Sequence, residues 1–246
     1  MNDLTGKVAL VTGGSRGIGA AIAVRLAHDG TDVALTYRTD SEQAASVVGL
    51  IERAGRWGLA IQADSAEPDA VVRAVHRTAD ARSRLDILVN NAGIYPNGPL
   101  AEVTRDEVDH ALAVHVRAAF LASQAAADRM ADGGRIISIG SCFAERVPYA
   151  GLSLYAMTKA ALLGLTKGLA RDLGPRGSTA IVVHPGNTDT DMNPIGTVEA
   201  AAEQAFIALG HYGQPDDIAA TVAYLAGEGG RYITGAAIAV DGGYAA

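Results

Sequence analysis

Short apolar runs alternate with amphipathic stretches from one end of the 246-residue chain to the other, and this alternation restricts the fold more than any other feature. Residues 7–12 form an almost wholly apolar run that ends in glycines, the pattern of a strand buried on both faces. Residues 17–29 then read as a helix, with Ile18, Ile22 and Leu26 on one side. The pattern repeats with strands at 32–37, 57–63, 85–90, 135–139, 179–184 and 236–240. Helices fall between them at 41–53, from Pro68 onward, from Thr104 to about Met130, and at 154–173 and 215–226. Thr104 and Glu107 carry the capping-box spacing, and Gly174-Pro175 stops the helix before it. No repeat, linker or low-complexity segment interrupts the series. The expectation is one domain over 1–246, a doubly wound, mostly parallel sheet in a three-layer α/β/α arrangement. Ligands of such sheets bind at the carboxyl ends of the strands, where strand order reverses.

Composition narrows the partners. The formal net charge is −7 and no basic run offsets it, so a broad nucleic-acid surface is not expected. Cys142 is the single cysteine, which excludes an internal disulfide and a multi-cysteine metal site and fits a reducing compartment. No apolar stretch reaches the roughly 20 residues of a bilayer span, and residues 1–7 lack a signal pattern. A cytoplasmic protein without membrane association is expected. His28, His76, His110 and His184 show no metal-ligand spacing and read as structural. Cys142 reads as a small buried side chain in preference to a reactive thiol.

The motifs sit just after strands. Thr12-Gly13-Gly14-Ser15-Arg16-Gly17-Ile18-Gly19 follows the first strand. Its glycines permit a tight turn that brings backbone N–H groups against a pyrophosphate at a helix N-terminus. Where NAD is read by an acid at the end of the second strand, this chain has Tyr37 followed by Arg38. Arg16 and Arg38 are two guanidinium groups able to hold a 2′-phosphate. Asp40 lies close enough to compete, yet the balance favours NADP(H) over NAD(H). Tyr155 and Lys159 are spaced i, i+4 on one helix face, where an ammonium beside a phenol favours the phenolate. Ser141, at the end of the fifth strand, is placed to orient a carbonyl oxygen by a hydrogen bond. Together they read as acid/base chemistry at a carbonyl.

With Asp64 after strand three, Asn90-Asn91-Ala92-Gly93 after strand four, Pro185-Gly186 after strand six and Asp241-Gly242-Gly243 near the C-terminus, the chain resembles the short-chain dehydrogenase/reductases over nearly its whole length. The resemblance implies a Rossmann-type fold and NADP(H)-dependent reduction of a small ketone, with Tyr155 as general acid and Ser141 and Lys159 beside it. It implies a cofactor-binding set of Gly13, Ser15, Arg16, Gly17, Ile18, Gly19, Tyr37, Arg38, Asp64, Ser65, Asn91, Ala92, Gly93, Tyr155, Lys159, Pro185, Gly186, Thr188 and Thr190. Within that set Asp64 meets the adenine, Lys159 the ribose hydroxyls, and Thr188 and Thr190 the carboxamide; Asn90 ties the sheet together.

The pattern is broken twice. The family's catalytic asparagine is replaced by His115, counted here as the fourth catalytic residue, and the step from Ser141 to Tyr155 is one residue longer than usual. Two other readings are carried forward. A 3-oxoacyl-carrier-protein reductase would want a basic patch, for which Arg105, Arg129 and Arg146 are candidates. A catalytically impaired NADP(H)-binding regulator is motivated by His115 alone. Ala156, Ala160, Gly164 and Gly168 form a ridge of small side chains suited to close helix packing, and with the family's habit this implies a homo-oligomer, dimer or tetramer. Residues 191–212 are expected to form a mobile lid over the substrate.

Overall fold

A computed structural model describes residues 3–246. The strands are β1 (Val8–Val11), β2 (Asp32–Tyr37), β3 (Gly58–Gln62), β4 (Leu85–Asn90), β5 (Met130–Ile139), β6 (Thr179–Pro185) and β7 (Ala236–Val240). All seven run parallel in one sheet of order β3-β2-β1-β4-β5-β6-β7. Strand order reverses between β1 and β4, so the residues following those strands open on one crevice.

Side-chain alternation sorts the sheet into two faces. Ala9, Val11, Val33, Leu35, Ile87 and Val89 point to one side, where α1 (Gly17–His28), α2 (Ser41–Arg53) and α8 (Pro215–Ala226) pack. Leu10, Ala34, Leu88 and Ile136 point to the other, against α3 (Pro68–Arg82), α5 (Ala118–Arg129) and the end of α6 (Ser153–Leu173). Both faces are covered, which is why the strands lack a polar period.

Three elements depart from the sequence pattern. The helix opened by Thr104 is α4 (Arg105–Leu112), with both capping-box hydrogen bonds formed; it then passes through one π-helical turn, Ala113–Arg117, before continuing as α5. β5 begins five residues early at Met130, which pairs with Leu85 before a register shift. The early start includes Gly133 at φ +82°, a left-handed value that suits an irregular strand entry. The segment 191–212 contains a helix, α7 (Val198–Gln204), capped by Thr197, which accepts from Ala200 N at 3.0 Å. The small-residue ridge of α6 faces outward at Gly164 and Gly168, where an added Cβ would meet nothing within 4 Å.

One polar knot braces the strand–helix layers. The Asp32 carboxylate, 6% exposed, accepts from Arg56 at 2.9 Å, from Arg82 at 2.5 Å and from Trp57 N at 3.1 Å. Burial alone would raise its pKa, but the Trp57 N–H and the two guanidinium groups together hold it below the usual range. Its stabilising effect is therefore complete above the unfolded carboxyl value, near 3.9, and fades as pH falls further. Asp32→Asn should cost about 1–3 kcal/mol in urea unfolding at pH 7. The gap to the parent should narrow as pH falls below about 4 and close only once the folded carboxyl is itself protonated; a gap that does not narrow would mean that the charge is not what stabilises.

Candidate active site

The crevice at the strand reversal is held by contacts between the turns that follow β1 and β4. Gly13 adopts φ +62°, and a Cβ there would lie 2.9 Å from the Ala92 Cα. A Cβ on Gly19 would fall 2.3 Å from the Asn91 amide nitrogen. The same Asn91 Nδ2 donates to the carbonyls of Thr12 and Gly13 at 2.9 and 3.0 Å, while Thr12 Oγ1 accepts from Asn91 N and Ala92 N. Glycines at these two positions follow from the close approach of the two backbones. Asn90, directed into the sheet, donates to Ser123 and Ser138 and so joins β4 to β5 and α5.

A cleft of about 600 Å³ runs along this edge. Every residue of the expected cofactor set lines it, together with Ser141, Tyr95, Phe143, Met192, Asn187 and Glu203. Arg38 is exposed at one end. Asp40, the expected competitor, is occupied: its carboxylate caps α2 by accepting from Gln43 N at 2.9 Å. Arg16 pairs across the cleft with Asp191, and Thr190 closes against Gly17. Asp64 accepts from Ala66 N at 2.9 Å, which fixes its carboxylate at the cleft wall. These features suit a dinucleotide: a glycine-bounded cradle at the start of α1, an exposed guanidinium at Arg38 that makes no ion pair among the described residues, and polar side chains along the rest.

Ser141, Tyr155 and Lys159 converge at the other end. Lys159 is buried and donates to Ile139 O at 2.9 Å, with its nitrogen 5.8 Å from the Tyr155 ring centre. Burial lowers its pKa to about 8. The expected lowering of the Tyr155 pKa is not seen. Burial raises the phenol well above its ordinary value, although the Ser141 hydroxyl beside it favours the phenolate. Desolvation of a group walled by Tyr95 and Phe143 outweighs the Ser141 hydrogen bond.

His115 lies in the π-helical turn and is 3% exposed. Unlike the other site residues it lines not the cleft but a void of about 10 Å³ behind it, shared with Lys159, Thr12 and Asn90 and large enough for a single water at most. Its Nε2 accepts from Ile94 N at 2.9 Å and its Nδ1 meets Thr158 Oγ1 at 2.8 Å. Since Nε2 must accept, the proton sits on Nδ1. Thr158 in turn donates to Tyr155 O at 2.9 Å. The side chain thus braces the loop after β4 against α6.

Sequence reasoning missed several contributors. His184, read as structural, accepts from Ser141 N at 3.0 Å and so fixes the backbone of the serine; burial holds its imidazole below the ordinary value. Thr158, Tyr95 and Glu203 carried no motif. Cys142 is buried with its thiol pushed up to about 12 by burial, which agrees with an unreactive side chain.

Burial first, and the Lys159 charge second, drive the His115 imidazole down to about 3. Ring-nitrogen NMR should show one neutral tautomer, protonated at Nδ1, without titration between pH 5 and 9. A midpoint inside that window would refute the geometry.

Comparison with known proteins agrees in extent. A family model described as Enoyl-(Acyl carrier protein) reductase matches residues 13–245. A short-chain dehydrogenase from Burkholderia cenocepacia J2315, solved in complex with NADP, superposes with a TM-score of 0.98 at 59% identity, each chain covered in full. A cyclic-di-GMP-binding biofilm dispersal mediator protein of Escherichia coli K12 is 42% identical over 246 residues, again covering both chains in full. A 3-oxoacyl-[acyl-carrier-protein] reductase of Synechocystis sp. is 39% identical over 246 residues, 99% of this chain and 98% of its own.

Proposed function

The chain belongs to the short-chain dehydrogenase/reductase family, and we propose that it is an NADPH-dependent reductase that converts a small ketone to a secondary alcohol. The observation that carries this reading is the convergence of Ser141, Tyr155 and Lys159 at one end of a cleft whose other end holds Arg38. Bound NADPH would supply the hydride. Ser141, its backbone fixed by His184, orients the carbonyl oxygen by a hydrogen bond. Tyr155, whose phenol is held protonated by burial, gives its proton to that oxygen as negative charge develops on it. Lys159 keeps a positive charge beside the phenol up to about pH 8 and eases the loss of that proton. His115 acts here as a positioning residue through Ile94 and Thr158, with no proton to give in the neutral range.

The preference for NADPH rests on Arg38 and on the absence of a carboxylate at position 37, while Asp40 is directed by its Oδ1 to the N-terminus of α2. The Burkholderia relative, solved with NADP, supports the same choice. The outward ridge at Gly164 and Gly168 and the family membership support a homo-oligomer.

The carrier-protein reading has several relatives named 3-oxoacyl-[acyl-carrier-protein] reductase in its favour, but its basic candidates are dispersed, and two of the three are engaged. Arg129 pairs with Asp80, and Arg146 donates to Tyr244 O and stacks on that ring. The regulatory reading has the Escherichia coli relative in its favour. It leaves the joint burial of Ser141 and Lys159 beside Tyr155 without a purpose. NADPH oxidation over a panel of small ketones, beside calorimetry with cyclic-di-GMP, separates these readings. Turnover without cyclic-di-GMP binding supports the reductase, and cyclic-di-GMP binding without turnover on any ketone replaces it.

Arg38→Asp should reduce the NADPH-over-NADH ratio of kcat/KM by about 10–100-fold, the effect of losing a charge-assisted pair worth ~1.5–3 kcal/mol. An unchanged ratio would remove Arg38 from phosphate recognition.

Tyr155→Phe should keep NADPH affinity and lose at least about 100-fold in turnover, the low end for general acid catalysis. Fluorescence titration of NADPH beside steady-state rates makes the comparison. Near-parental turnover would place the proton donor elsewhere.

A further inference from the structure

The substrate end of the cleft contains a carboxylate that the reaction itself does not require. Glu203 projects from α7 and lines the same cleft as Ser141 and Tyr155. Tyr149 donates to its Oε1 at 2.7 Å and Tyr212 to its Oε2 at 2.9 Å. Two phenols on opposite oxygens fix the orientation of the group, and each oxygen keeps a further lone pair free. Among the described residues Glu203 makes no ion pair.

The wall between Glu203 and the catalytic tyrosine is aromatic. Tyr95 meets Tyr155 edge to face with ring centres 4.9 Å apart, and Phe143 lies 5.8 Å from Tyr149 and 6.2 Å from Tyr155. Tyr149, whose hydroxyl is held by Glu203, backs this wall through Phe143. Aromatic faces with a fixed, unneutralised carboxylate form a setting that attracts a cation and repels an anion.

We propose that Glu203 is a specificity-determining residue that selects ketones carrying a protonated amine, the amine lying against Glu203 and the aromatic wall while the carbonyl meets Ser141 and Tyr155. The proposal rests on the reductase reading given above. A carboxylate in this position also discriminates against keto acids, whose negative charge would face it across a partly desolvated pocket. The competing account is mechanical: Glu203 latches α7 to the segment before α6 through Tyr149, and substrate charge is immaterial.

The test uses the NADPH-loaded protein at pH 7 with two ketones of the same shape, 4-(dimethylamino)butan-2-one and its uncharged counterpart 5-methylhexan-2-one. The parent should favour the amine in kcat/KM by at least about tenfold. In Glu203→Gln that ratio should fall to near one, with the loss carried by KM for the amine. Tyr212→Phe, which removes one phenol but keeps the carboxylate, should retain the preference. An equal fall for both ketones in Glu203→Gln, a parent without preference, or loss of the preference in Tyr212→Phe as well would establish the latch and overturn the proposal. If the parent reduces neither ketone, the reductase reading loses support, and thermal stabilisation of the NADPH complex decides the question of recognition. Protection by the amine alone, abolished in Glu203→Gln, supports recognition at Glu203; equal or absent protection by the two ketones overturns it.

Discussion

The side chain of Asn91 joins the two halves of the cleft, and most of the site geometry follows from that contact. Its amide reaches the carbonyls of Thr12 and Gly13 across the point where strand order reverses. The turns after β1 and β4 are thereby packed so closely that Gly13 and Gly19 have no room for a Cβ. A parallel sheet already brings the carboxyl ends of all its strands to one edge. The Asn91 contact converts that edge into a cradle of fixed width, with the start of α1 on one side and the Ala92-Gly93 loop on the other. Ser141 after β5 and Pro185-Gly186 after β6 then reach the same cleft as a consequence of strand order.

A second brace acts beneath the first. The π-helical turn at Ala113–Arg117 rotates the helix by one extra residue, so His115 points at Ile94 N and Thr158. Buried backbone donors require a partner, and here the imidazole supplies it for the loop after β4. The replacement of the family's asparagine by His115 is therefore compatible with a working site, because an imidazole with Nδ1 protonated can accept on one side and donate on the other. The irregular turn persists with histidine in place.

The strand–helix alternation, the glycine turn and the Tyr155–Lys159 pair were legible because each is a local pattern whose spacing has one geometric meaning. The capping box at Thr104 and Glu107 was legible for the same reason. The π-helical turn was not: its backbone hydrogen bonds shift without any change in composition. The helix at Val198–Gln204 did carry a signal, Thr197 followed by a run of good helix formers, which the small residues around it concealed. Glu203 and Arg16 illustrate the deeper limit. Glu203 meets Tyr149, and Arg16 meets Asp191, across stretches of chain that no periodicity connects. The role of His184 was hidden similarly, since its contact with Ser141 exists only once β5 and β6 lie side by side.

Electrostatics at the site are set by burial more than by pairing. A lysine and a tyrosine one helical turn apart would, in water, lower the phenol and leave the ammonium near its ordinary value. Here desolvation acts on both and favours the neutral form of each, so Tyr155 is held as a phenol and Lys159 is brought to about 8. Under the proposed reduction, a protonated phenol is the state that donation to a carbonyl oxygen would require, and a lysine still charged at neutral pH would favour the phenolate left behind. The same burial that denies His115 a second proton in this range keeps a second positive charge away from Lys159. A charged imidazole there would compete with the ammonium for the same buried space. Its neutrality leaves the Lys159 ammonium, 5.8 Å from the Tyr155 ring centre, without a second charge beside it from His115.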